Sequence, residues 1–431
     1  MKKFFLPRGT ADILPGVVSS WQNLEANARQ ILGLYGYQEI RTPLFEETEL
    51  FSRSVGEASD IVQKQMLNLS SQKQADAGDI QSGLSLRPEG TASVVRAYLE
   101  NNLASKEGLS KLYYIGPMFR GERPQKGRLR QFQQIGVEVL GPQARSVFLD
   151  AEVIALAVNL LKVFGIKDLS LKLNTLGTAE DKKAFAELLK TKLNKDFDAF
   201  CPDCQRRFEK NIFRILDCKQ TNCQQVVRKL EIKREEYMSL ESLAYFDQVK
   251  NLLSQLKIDF IESPYLVRGL DYYTQTVFEI SCASLGSQDA LGAGGRYDNL
   301  VQQLGGDKDV AYGALGFALG MERILLAAKD QAAAASQTVV FLVCLGDAAR
   351  DKGFLLLQDI RQAGISADMS YQPDSIKSQM RQANKAGAPQ VLILGDDELK
   401  AGEITLKDMQ NSSQEKVALN HVIEVMQARL K

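Results

Sequence analysis

The chain has almost no histidine. One imidazole, His421, serves all 431 residues. A single ring cannot build a Ser-His-Asp or Cys-His apparatus, nor a multi-histidine metal site. Net charge is missing too, since 53 Lys plus Arg balance 53 Asp plus Glu. Net charge therefore gives no argument for a polyanionic partner, and any nucleic-acid contact must come from local patches. No apolar run follows the opening MKKFFLPRG, and no stretch approaches a membrane span. The expectation is a cytoplasmic chain without membrane contact. There the six cysteines are reduced thiols or metal ligands rather than disulfides. A Walker P-loop and a GxGxxG after a strand are also missing, so any nucleotide site is of an unusual kind.

The polar machinery that remains is Arg, Glu, Gln, Tyr and Thr. That set suits charge stabilisation and positioning, as in phosphoryl or nucleotidyl transfer. The apolar share of 45% and charged share of 25% are those of a globular protein. The length predicts two or three domains.

The most informative stretch is residues 111–141, KLYYIGPMFRGERPQKGRLRQFQQIGVEVLG. It reads as two strands around a basic loop. Arg120, Arg123, Lys126, Arg128 and Arg130 stand against one carboxylate, Glu122. Forked guanidinium donors at a strand end suit phosphate oxygens, although a charged loop by itself is most often a solvated face. The second strand alternates. Ile135, Val137 and Val139 share a core-facing side, and Gln134, Gly136 and Glu138 share the other.

Before this hairpin, a helix is predicted from Trp21 to Tyr35, with Gly36 as its C-cap. YQEIRTPLFE reads as an edge or interface strand carrying Pro43. LFSRSVGEASDIVQKQMLNL continues into a further strand, and 70–83 reads as a loop. LSLRPEGTASVVRAYLENNLA reads as strand, turn and helix, with Thr91 at the N-cap position. Glu89 either answers the helix dipole or aims into a pocket.

After the hairpin come a helix, 150–164, and a strand, LSLKLNTLG. Residues 178–262 then read as a charged helical insertion holding Cys201, Cys204, Cys218 and Cys223. A CxxC followed by a second pair can form a four-thiolate zinc site, and reduced unpaired thiols are the alternative. Residues 266–282 read as a strand with Arg268, Asp271, Tyr272 and Tyr273 at its start. Arg268 is either an ion-pair partner of Asp271 or a second phosphate clamp. Then GALGFALGMERILLAA reads as a glycine-spaced strand entering a helix, with Glu322 and Arg323 in its first turn. These glycines can serve helix–strand packing only, whereas Gly294 and Gly295 in the preceding ALGAGGRYDNLV let backbone approach backbone or ligand closely. An arginine at a helix N-terminus opposes the dipole, which points to an anion. Residues 327–337 read as a linker. Strands and helices alternate over 338–431, predicting a separate α/β domain in which His421 merely starts a helix.

In this order the pieces resemble a class II aminoacyl-tRNA synthetase of the bacterial histidyl-tRNA synthetase family. RTPLFE, MFRGERPQKGRLRQFQQIGVEVLG and GALGFALGMERI resemble its motifs 1, 2 and 3, and LVRGLDYYTQTVFE and GAGGRYDNLV its two histidine signatures. The resemblance implies an α+β catalytic domain on an antiparallel sheet over 1–326, with a helical insertion at about 178–262, and an α/β anticodon-binding domain over 338–431. It implies activation of L-histidine by ATP with Mg2+, transfer to tRNA-His, and a homodimer joined through motif 1.

By position, the resemblance gives Glu89, Gly90, Thr91 and Gln134 to the amino end of histidine. Glu138 and Tyr273, with Tyr272 nearby, would read its imidazole, and Gly136 would leave room between Gln134 and Glu138. Arg120 and Arg268 would meet the α-phosphate, Glu122 would place the nucleotide, and Arg323 would hold the γ-phosphate. Arg123 and Gln125 would face the tRNA acceptor end, with the loop tip through Arg130. The regulatory subunit of ATP phosphoribosyltransferase resembles the same core. It generally lacks the last domain and keeps degraded signatures.

Overall fold

The computed structural model describes residues 3–57, 59–69, 83–103, 107–328 and 339–429. The chain forms two compact units, Met1–Ala332 and Ala333–Lys431. The expected loop at 70–83 lies, except for Gly83, outside the described residues, as does most of the expected linker at 327–337.

Strands are numbered along the chain: β1 Gln38–Glu39, β2 Phe45–Glu47, β3 Leu67–Asn68, β4 Leu84–Leu86, β5 Ser110–Phe119, β6 Gln131–Gly141, β7 Leu169–Thr175, β8 Ile261–Glu262, β9 Thr274–Cys282, β10 Ala290–Arg296 and β11 Gly313–Gly320. Eight of them form one sheet in the order β1-β5-β6-β11-β10-β9-β7-β8. Its six inner strands are antiparallel to their neighbours, and a parallel strand closes each edge. The α+β reading of the first unit therefore holds. The alternation in β6 decides its two faces. Ile135, Val137 and Val139 are fully buried in a core shared with the helices Pro15–Leu34, Val147–Val163 and Leu240–Gln255. The opposite face carries the helix Thr91–Glu100, whose Val94, Val95 and Tyr98 pack with Leu112, Tyr114 and Tyr297.

Three local expectations change. YQEIRTPLFE is two strands rather than one, broken between Glu39 and Phe45 around Pro43. Proline gives the ladder no N–H. The Arg87 guanidinium holds the break, donating to the Thr42 carbonyl at 3.0 Å and the Pro117 carbonyl at 2.9 Å. The next stretch is mostly helical: Thr48–Val55, then a wide turn Ile61–Gln65, with only Leu67–Asn68 extended. Phe51, Ser54 and Val55 fall on one buried helix face there. Finally, 266–273 is not strand. β9 begins only at Thr274, so Arg268, Tyr272 and Tyr273 sit on a loop leading into it.

The stretch after β7 folds as short helices, Ala179–Leu193, Pro202–Lys210, Phe213–Leu216 and Thr221–Arg228, around a core of Phe185, Leu189, Phe208 and Ile215. The later helix Leu240–Gln255 instead joins the main core through Phe246, Val249 and Leu253.

The second unit has its own sheet of β12 Val340–Cys344, β13 Ala367–Met369, β14 Gln390–Leu394, β15 Glu403–Asp408 and β16 Gln414–Ala418, in the order β13-β12-β14-β15-β16. The first three are parallel and the last two antiparallel. Both faces of β12 are apolar and covered. His421 is exposed and pairs with Glu424 at 2.9 Å, in the turn before the last helix.

Candidate active site

A cavity of about 900 Å³ opens over the polar face of the main sheet. Its carboxylate end is built from β6 and from the start of the helix Thr91–Glu100. The Glu89 carboxylate accepts the Thr91 N–H at 2.7 Å and the Ala92 N–H at 3.0 Å. Glu89, not Thr91, therefore caps this helix, and it lines the cavity as well. The Thr91 hydroxyl is released from capping and donates to Glu138 Oε1 at 2.7 Å. The Tyr297 hydroxyl donates to the other oxygen, Oε2. Burial pushes the Glu138 carboxyl up to about 8, against the pull of the Tyr297 and Thr91 hydrogen bonds. Burial also raises Glu89, against its two backbone hydrogen bonds.

Two glycines make this arrangement possible by lacking a Cβ. Tyr114 on β5 pairs with Gly136 on β6, and a Cβ at 136 would lie 2.2 Å from the Tyr114 ring. The room at Gly136 is therefore filled by Tyr114 rather than left open between Gln134 and Glu138. Gly316 on β11 faces Glu138 in register, and a Cβ there would meet the carboxylate at 2.2 Å. The glycine spacing of β11 thus serves the site and not packing alone. Gln134 shares the cavity wall, and its buried Oε1 has no partner. A buried acceptor without a donor marks a place for a ligand's donor group. Tyr272 and Tyr273 are buried beside it with ring centres 4.7 Å apart. Burial pushes the Tyr273 hydroxyl up to about 12.

Arginines line the same cavity. Arg120 directly follows β5, donates to the Pro88 carbonyl at 2.9 Å and lies over the Phe132 ring. Arg268 pairs with Glu279 at 2.6 Å. Asp271, the partner weighed in the sequence, instead accepts from Asn211 at 2.8 Å. Arg323 donates to the carbonyls of Gly127 at 3.1 Å and Ala290 at 2.6 Å. The loop of the hairpin closes in a turn in which Gln125 and Arg128 pair and Gly127 takes φ +70°. Arg128 pairs with Glu122. Arg130 holds the amino-terminal segment, donating its N–H to the Gly9 carbonyl at 2.7 Å. The exposed groups of the tip are thus Arg123, Gln125 and Lys126.

The fold brings Glu89, Gly90, Thr91, Gln134, Glu138, Tyr272 and Tyr273 around one cavity with Arg120, Glu122, Arg268 and Arg323. Arg123 and Gln125 lie outside the cavity lining. Sequence reasoning did not single out Tyr114, Tyr297 or Glu279. A signal existed for two of them. Tyr297 stands inside GAGGRYDNLV, and an aromatic cross-strand from a glycine is a common way to fill a sheet face. The four cysteines also gather, with all four sulfurs within 4.8 Å of one another. Among the described residues they form the one group of three or more His, Cys, Asp or Glu ligands close enough to hold a metal ion.

Comparison with known proteins follows the same division. The histidyl-tRNA synthetase family matches residues 9–324, and an anticodon binding domain matches 339–429. A histidine–tRNA ligase of Moorella thermoacetica is 46% identical over 421 residues, which is 97% of this chain and 96% of the relative. A crystal structure of apo S. aureus histidyl-tRNA synthetase superposes with a TM-score of 0.79 at 35% identity, covering 98% of this chain and 100% of the other. A Bacillus halodurans structure, described as an ATP phosphoribosyltransferase regulatory subunit/histidyl-tRNA synthetase, is 21% identical with a TM-score of 0.63 over 92% of this chain and 99% of that one. At that identity it shares the fold.

Proposed function

The chain belongs to the histidyl-tRNA synthetase family and is a histidine–tRNA ligase, and on that premise we propose how its residues divide the work. ATP is the second substrate and tRNA-His the acceptor. Glu138 carries the reading. It is a buried carboxylate held by two hydroxyls in a cavity that Arg120, Arg268 and Arg323 also line.

Histidine lies with its imidazole at Glu138, flanked by Tyr272 and Tyr273. Its ammonium meets Glu89, Thr91 and the unpartnered Gln134 Oε1, beside Gly90. Selectivity follows because a competitor without the ring nitrogens forfeits the further hydrogen bond that Glu138 can make beyond those to Thr91 and Tyr297, a loss of about 1–3 kcal/mol. The histidine carboxylate then attacks the α-phosphorus. A P–O bond forms, the α–β bridging bond breaks, and pyrophosphate leaves with the electron pair. A carboxylate nucleophile needs no general base. It needs alignment and neutralised phosphate charge, supplied by Arg120 and Arg268 at the α-phosphate and Arg323 at the γ-phosphate. Glu122 places the nucleotide. Mg2+ would arrive on the ATP phosphates, since among the described residues no carboxylate trio stands ready to cage it.

The tRNA terminal hydroxyl then attacks the carbonyl carbon of the adenylate: the ester bond forms, the acyl–phosphate bond breaks, AMP leaves with the electron pair and the hydroxyl proton is released, with Arg123 and Gln125 against the acceptor end. We assign catalysis to 1–326, including the insertion at about 178–262, and anticodon binding to 338–431. Leu44, Phe45 and Leu84 stay exposed on β2, β4 and the segment before them, which suits a second copy of the chain across motif 1. Cytoplasmic location fits an enzyme that needs ATP and tRNA. Among the described residues no helix is long and apolar enough to cross a membrane. The regulatory-subunit reading is not favoured, given the near-full-length likeness to ligases. ATP–pyrophosphate exchange tested with each amino acid should proceed with histidine alone. No exchange with any of them would overturn the assignment.

A further inference from the structure

The cysteine cluster takes no part in the chemistry above. Cys201 precedes the helix Pro202–Lys210 and Cys204 lies in its first turn. Cys218 follows Phe213–Leu216, and Cys223 lies in the first turn of Thr221–Arg228. Residues 22 apart in sequence are thus folded onto one point. The Cys201 and Cys218 sulfurs are 3.9 Å apart, and the Cys201 N–H donates to the Cys223 sulfur at 3.3 Å. Three of the four side chains are buried, and none is in a disulfide.

A zinc ion held by four thiolates at about 2.3 Å places its sulfurs roughly 3.8 Å apart. The observed spread, within 4.8 Å, needs only a small contraction to reach that. The short distances suit one ion rather than a multi-iron cluster. The surrounding helices have nine, four and eight residues. Helices so short do not stand by themselves, and a small core of this kind is commonly completed by a metal.

The position of the cluster gives it consequence. Cys201 and Cys218 line the cavity, as do the neighbours Asp217 and Lys219. From the same short helices, Arg207 reaches Asp60 at 3.1 Å, Asn211 reaches Asp271 at 2.8 Å, and Arg214 donates to the Gly269 carbonyl. Each contact ties the insertion to the loop carrying Arg268, Tyr272 and Tyr273, or to the turn below it. We propose that Cys201, Cys204, Cys218 and Cys223 bind a single structural zinc ion, and that this ion fastens the 207–219 wall of the cavity against the 268–273 loop. Four thiols release their protons to solvent as the ion binds. With four protein ligands the ion has no open position and takes no part in adenylate formation.

The metal assignment stands without the catalytic one and is tested separately. Elemental analysis of the full chain, purified under reducing conditions, should find about one zinc per chain, released by a mercurial thiol reagent. Cys204→Ser and Cys223→Ser should each lose it, whereas Cys282→Ser and Cys344→Ser should keep it. Hydrogen exchange of the zinc-depleted full chain should quicken at 205–219 and at 268–271, and stay unchanged over 340–429. A metal-free chain with four reactive thiols, disulfides seen by intact mass, or another metal in the site would overturn the zinc. Faster exchange confined to 201–223 would overturn the fastening role. Because the wild-type metal content is read first, a variant that fails to fold does not hide the answer.

Discussion

The two sheets obey the same period-2 rule and use it differently. In β12 of the second unit, Val340, Leu342 and Cys344 face one core, and Phe341 and Val343 face the other. In β6, Ile135, Val137 and Val139 face a core, but Glu138 and the Gln134 Oε1 on the opposite side are also out of bulk water. A strand that is apolar on both faces is scaffold. A strand that encloses an amide and a carboxylate pays desolvation for them, and the compensation must come from hydroxyls or a ligand. The buried polar face, rather than the buried apolar one, marks the site.

Several substitutions test that contrast. Arg268→Ala should have the largest effect, lowering the rate of histidine-dependent pyrophosphate exchange by about a thousandfold, with ATP affinity changing far less. An unchanged rate would remove Arg268 from the α-phosphate. On the scaffold side, Leu342→Ala should cost about 2–5 kcal/mol of stability in denaturant titration, because Leu342 is fully buried. Its exchange rate per folded molecule should not change; a selective loss of exchange would erase the distinction between the two sheets.

Glu138→Gln should lower exchange by about a hundredfold with little change in ATP binding, since an amide cannot give up a proton to become the charged acceptor for a ring N–H. Exchange at the wild-type level would reassign histidine recognition.

The smallest effect is on pH dependence. The folded Glu138 carboxyl sits at about 8 and the unfolded one at about 4.3. Between those values the unfolded chain has lost the proton that the folded chain keeps. Stability of the ligand-free protein therefore falls as pH rises through that window. Glu138→Gln should flatten the slope of denaturation midpoint against pH. Identical slopes in both proteins would mean that the carboxylate is ionised when folded.

Much of the site was legible before the fold. The alternation in 131–141 separated its two faces, and a run of guanidiniums with one carboxylate pointed toward phosphate. What stayed hidden were pairings between distant segments. Glu138 and Tyr297 are 159 positions apart and meet because β11 and β10 stand in the order that sets residue 297 across the cavity. Arg268 found Glu279 and not Asp271 because 266–273 is a loop, so neighbours in sequence do not share a face there. Thr91 looked like a cap, but Glu89 took the helix N–H groups and left the hydroxyl for Glu138.

The sequence by itself determined the chemistry on offer: one histidine, no P-loop, arginines in place of an acid–base apparatus, and four cysteines in a helical insertion. It also determined which residues of β6 face inward, because side-chain direction along a strand is local. Only the tertiary structure decided which groups satisfy one another. Partner choice for a buried charge depends on what the sheet order and the packing bring within hydrogen-bond reach, and that distance is not written in any local pattern.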